Sequence, residues 1–120
     1  MDRFQALQAF WASFSVPAYD ENTVPDGATL PYITYDTKYN SFFGGSASMS
    51  ASIWDRSFSW ASVQTIFERI KARLGEGIIQ TYDGGALYIR PGSPYAQRID
   101  AQSDDIRRIL INIEVEYLEG

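Results

Sequence analysis

The chain contains neither cysteine nor histidine. Without thiols there is no disulfide framework and no thiolate nucleophile. Without imidazole, the commonest metal ligand and the commonest general base are both missing. Zinc centres and a serine triad of the usual kind are thereby set aside. Positive charge is scarce as well: ten Lys and Arg stand against fifteen Asp and Glu, a formal net charge of −5. A duplex-DNA binder normally carries a basic face, so this balance argues against a grip on a phosphate backbone. Long apolar runs are missing too, since no stretch approaches the roughly 18 residues that a membrane helix needs. At the N-terminus, Gln5 and Gln8 break the apolar run and Arg3 is the only basic residue before Lys38. A signal peptide and a membrane partner are not expected; a soluble protein made in a cytoplasm is.

What is present is aromatic. Three Trp, eight Tyr and seven Phe make 15% of 120 residues, more than a small core needs, so some are expected on contact surfaces. The length suits one domain over residues 1–120.

The pattern along the chain predicts an α+β fold. Asp2 can cap a first helix over residues 3–14, where Phe4, Leu7, Trp11 and Phe14 recur at helical spacing and Phe10 widens the stripe. Residues 15–31 hold three of the five prolines and no periodicity, and read as a long loop ordered by packing. A strand is expected over 32–39 and its partner over 47–56, with Met49, Ala51 and Ile53 on one face and Ser48, Ser50, Ser52 and Trp54 on the other. Ser59 can cap a second helix over 60–74, whose stripe is Trp60, Val63, Ile66, Phe67, Ile70 and Leu74, with Gly75 after its end. Asp83-Gly84-Gly85 between two β-prone runs reads as a hairpin turn. Residues 91–105 read as a second long loop. The alternation of Ile109, Ile111, Ile113, Val115 and Tyr117 marks a closing half-buried strand. The expected order is α-β-β-α-β-β-β: a mainly antiparallel sheet with two helices on one face and a solvated Ser, Asn and Glu face opposite.

Several residues invite a functional reading. Glu114 and Glu116 share one strand face; two carboxylates so placed suit glycoside hydrolysis only within a cleft that separates their pKa values, and a solvated face is the plainer reading. Asp100, Asp104 and Asp105 offer oxygens for a hard cation, or with Ser103 a turn into the last strand. Gly84-Gly85 matches neither phosphate-binding glycine motif. No cofactor or metal site is therefore expected. Arg90, Arg98, Arg107 and Arg108 gather late in the chain, where they suit pairing with acids across an interface; a single-strand nucleic-acid surface is disfavoured by the acidic total. Trp54 suits a sugar or, by preference, a protein interface, and Tyr95 and Arg98 join it as interface candidates. Phe42 and Phe43 beside Gly44 and Gly45 form an apolar hairpin tip that either folds back or meets another chain.

Four stretches together carry a family resemblance: FWASFSVPAYDENTVPDGATLPYITY, IWDRSFSW, YDGGALYIRPGSPYAQRI and DDIRRILINIEVEYLEG. In this order they resemble the tail terminator, or tail completion, proteins of long-tailed phages and prophages of Gram-positive bacteria. The resemblance runs over nearly the whole chain and rests on scaffold turns and strands, not on a chemical signature. It implies a non-enzymatic virion protein that forms a six-membered ring on the head-proximal end of the tail tube. Such a ring ends tube growth, presents a surface to head-completion proteins, and lets DNA pass without holding it. On this reading the Phe42-Phe43 tip reaches a neighbour or the tube, and Glu114 and Glu116 line a lumen. The head-completion or stopper protein of the same neck is the alternative, with a carbohydrate-binding module or a carboxylate hydrolase as readings from other classes.

Overall fold

The computed structural model describes residues 2–36, 45–100 and 103–119. The element order is α1 (Arg3–Trp11), a 3-10 turn (Ala12–Phe14), β1 (Ala18–Asp20), β2 (Tyr32–Tyr35), β3 (Gly45–Arg56), α2 (Ala61–Leu74), β4 (Ile78–Tyr82), β5 (Gly85–Asp100) and β6 (Ile106–Glu119). The strands form one six-stranded sheet in the order β1-β2-β3-β6-β5-β4.

This corrects the expected architecture in two places. The sheet is mixed and has six strands. Ala18–Asp20, read from sequence as loop, pairs in parallel with β2, whereas the other four pairings are antiparallel. Of the second loop expected over 91–105, residues 91–100 are instead the continuation of β5, which runs in strand geometry to Asp100, while 103–105 form a turn into β6. The prolines that argued against a strand sit where the ladder is interrupted. Between Pro91 and Ala96, β5 advances five residues while β6 advances two, from Ile113 to Ile111. A bulge of this kind tolerates residues that cannot donate to the ladder. Asn112 on β6 pins it by donating its side-chain N–H to the Pro94 carbonyl at 2.9 Å. Gly92 passes so close to the Asn112 backbone that an added Cβ would stand 2.9 Å from it.

Helix starts follow local chemistry. The Asp2 carboxylate accepts from the Gln5 N–H and the Gln5 side chain accepts from the Asp2 N–H, both at 2.8 Å, a reciprocal capping box. The buried face of α1 is Ala6, Leu7, Phe10 and Trp11; Phe4, expected on it, is 46% exposed. The turn after α1 closes with Ser15 in the left-handed region at φ 68°. In α2 the capping position belongs to Trp60, one residue later than expected. Ser59 still contributes, accepting from the Ala61 N–H at 3.1 Å. Val63, Ile66, Ile70 and Leu74 are buried along α2, and Gly75 ends it at φ 53° with its N–H on the Lys71 carbonyl.

Both helices share one core with the odd-numbered face of β3 and β6. Ala51 opposes Ile111, Met49 opposes Ile113 and Ile53 opposes Ile109, and all six are buried. Phe10 packs edge-on to Trp11 and Phe14, with ring centroids 4.8 and 5.3 Å apart. Each fully buried aliphatic side chain here contributes roughly 1.5–3 kcal/mol. The period-two alternation of β3 and β6 then forces Ser48, Ser50, Ser52, Trp54, Arg108, Asn112, Glu114 and Glu116 onto the opposite face.

Candidate assembly surfaces

The opposite sheet face is polar but largely self-compensated. Trp54 and Arg108 are direct cross-strand partners. The Trp54 indole N–H donates to the Thr34 hydroxyl at 2.9 Å, which ties β3 to β2. The Arg108 guanidinium carbon stands 4.6 Å from the Trp54 ring centroid, and its Nε donates to the Ser52 hydroxyl at 2.9 Å. Beside them the β1–β2 connection overhangs a groove of about 280 Å³, lined by Glu21, Val24, Tyr32, Thr34, Trp54 and Arg108 among others. Trp54 is thus half-buried and held on one side by a cation, with its polar atom already satisfied.

Glu114 and Glu116 lie further along the same face. Glu114 accepts from the Ser48 hydroxyl at 2.5 Å. Glu116 pairs with Arg90 at 3.5 Å, and Arg90 also sits 5.4 Å from the Tyr88 ring centroid. Each carboxylate therefore has its own neighbour on the sheet, and neither lines the groove beside Trp54.

The second cluster surrounds Trp60. Arg98 from β5 and Arg107 from β6 both approach its ring, at 4.6 and 5.5 Å from the centroid. Arg98 also reaches the Gln64 side chain at 3.5 Å. Arg107 donates to the backbone carbonyls of Asp104 at 2.8 Å and Phe58 at 3.0 Å. Phe58 beside it is 77% exposed. Sequence periodicity placed Trp60 in the core stripe of α2. The structure keeps it half-buried against that core and brings two guanidinium groups onto its ring; nothing local in the sequence pairs it with arginines 38 and 47 positions away.

Tyr95 also packs on α2, against Phe67 with ring centroids 5.7 Å apart, and its buried hydroxyl finds no hydrogen-bond partner among the described residues. Burial, with the charge of Glu68 adding, pushes its phenol up to about 12. Asp105 takes part in the turn into β6. It accepts from Ser103 and pairs with Arg56, and Ile106 N–H closes on the Ser103 carbonyl. The hydrogen bonds from Ser103 first, then Arg56, hold its carboxyl below the usual range. Among the described residues no group of three acidic side chains is arranged to hold a metal ion, and no helix is long and apolar enough to cross a membrane. Phe42, Phe43 and Gly44 lie outside the described residues, and Gly45 is the first residue of β3, opposite Tyr117.

No family model matches the chain, and no curated protein matches it. Among solved structures, the chain is similar to one from the virion of a native gene transfer agent particle. The TM-score is 0.57 at 18% identity, covering 98% of this chain and 91% of that one. The likeness is one of fold.

Proposed function

We propose that this chain is a structural protein of a phage-like virion, and that it closes the head-proximal end of the tail tube as a ring. The observation that carries the reading is the end-to-end fold correspondence with a virion chain, which leaves no substantial part of either chain unmatched. The sequence resemblance to tail terminators supports the finer assignment. The surfaces are compatible with it: aromatic rings and guanidinium groups stand in fixed pairs at Trp54 and Trp60, the residue types enriched where proteins meet. On this reading the partners are further copies of the chain, the tube protein and a head-completion protein, with DNA passing through. No catalytic role is assigned.

A head-completion role is the alternative that the same correspondence supports. A nonsense codon in the gene, within the phage or prophage that encodes it, separates the two. A terminator's loss yields overlong tails detached from heads in electron micrographs. Tails of normal length beside unjoined heads indicate the head-completion role. Joined particles with normal tails contradict both.

A further inference from the structure

Charge on this chain is segregated. Between Arg3 and Lys38 there is no Lys or Arg, while Asp20, Glu21, Asp26 and Asp36 fall there. Four acids and no base give that stretch −4 of the chain's net −5. Glu21 and Asp26 are exposed on the β1–β2 connection. On α2 the sign reverses, with Arg69, Lys71 and Arg73 against Glu68. The negative end of the helix dipole accounts for Lys71 and Arg73 in the last turn, but not for Arg69 a turn earlier. Arg69 and Arg73 are both exposed and four residues apart, a spacing at which like charges repel. Among the described residues neither forms an ion pair.

The acidic flank is also blunted against strand addition, since two of its outward carbonyls are occupied. The Ala18 carbonyl already accepts from the Gln8 side chain at 2.9 Å, and the Asp20 carbonyl from the Thr23 N–H at 2.9 Å. An edge blunted in this way meets a partner through side chains instead of backbone.

We propose that the acidic β1–β2 connection of one copy docks, through Glu21 and Asp26, on Arg69 and Arg73 of a second copy. Two different patches on one chain make a head-to-tail contact, the kind that closes into a ring when the rotation allows. The inference rests on the ring assembly proposed above and adds which flanks meet. Exposed charge pairs steer and register more than they hold, so the contact is weak between free chains and sensitive to salt.

Sedimentation velocity over a wide concentration range at low salt tests it. Arg69→Glu with Arg73→Glu, and separately Glu21→Lys with Asp26→Lys, should each weaken self-association by at least about tenfold. Mixing the two variants should regain it, and about 0.5 M salt should reproduce the loss in the wild type. All four positions are exposed, so circular dichroism should match the wild type; should a reversal variant misfold, Arg69→Gln with Arg73→Gln gives the same sign of effect at smaller size. Unchanged association in the variants, no recovery on mixing, or a wild type that stays monomeric at its solubility limit overturns the proposal. Wild-type-like association in variants that still cap tubes sinks this inference and leaves the terminator reading standing. Charge-dependent association in a chain that never caps tubes does the reverse.

Discussion

The guanidinium carbon of Arg108 lies 4.6 Å from the centroid of the Trp54 ring, across the β3–β6 pairing. Because Trp54 also donates to Thr34 on β2, three neighbouring strands are linked on the polar face by side chains in addition to their backbone ladders. A double-mutant cycle with Trp54→Leu and Arg108→Met should return a coupling of about 0.5–2 kcal/mol in denaturant unfolding. A coupling near zero would mean that the stacking contributes nothing beyond the separate hydrogen bonds.

Tyr95 gives an alkaline signature. Its phenol is raised from 10.0 to about 12, so the folded state holds the proton more tightly than the unfolded chain. The associated stability is complete below pH 10 and is lost as pH rises toward about 12. Tyr95→Phe removes both the titration and a buried hydroxyl without a partner, so it should leave neutral-pH stability unchanged or higher. It should also flatten the loss above pH 10. Thermal unfolding at a series of alkaline pH values checks this; a marked drop at neutral pH would show that the hydroxyl has a partner after all.

The contrast between α1 and β1 shows how much the sequence could reveal. Asp2 and Gln5 cap a helix through contacts three residues apart, so local pattern suffices. The alternation from Ile109 to Tyr117 likewise spans enough residues to fix strand and face. Ala18–Asp20 is too short for any period, and its strand geometry comes from β2, fifteen positions on. The Pro91-Gly92-Ser93-Pro94 stretch reads as a breaker because the bulge that accommodates it depends on Asn112 of another strand. The same limit governs the surfaces. Arg98 and Trp54 stand out in the sequence as residue types common at interfaces. Their partners, Trp60 and Arg108, come from tertiary neighbours that no local pattern names.

At the acid end, Asp105 is the group to follow. Its carboxyl is held below the usual 3.8 by Ser103 and then Arg56. Its contribution is present above the unfolded-state value of 3.8 and is lost as pH falls through the lower folded-state value. Ser103→Ala and Arg56→Ala should each raise the Asp105 pKa toward 3.8 in a carbon-detected NMR titration. An unmoved midpoint in both variants would contradict the assigned contacts.

Gly92 tests the bulge. A Cβ there would stand 2.9 Å from Asn112 backbone atoms, closer than a side chain tolerates, and backbone cannot swing aside as a flexible side chain can. Gly92→Ala should cost about 1–3 kcal/mol in denaturant unfolding. Gly27→Ala, where a Cβ meets nothing within 4 Å, should be close to neutral. Equal effects at both sites would place the strain elsewhere.

The role proposed for this chain is to end a tail tube. The most direct measurement follows purified tube protein as it polymerises with and without the chain, by electron microscopy of tube lengths and ends. In that role, substoichiometric protein should halt elongation, shorten the length distribution, and leave a ring of extra density at one end of each tube. Tubes that grow to the same lengths with bare ends, in the presence of excess folded protein, contradict it.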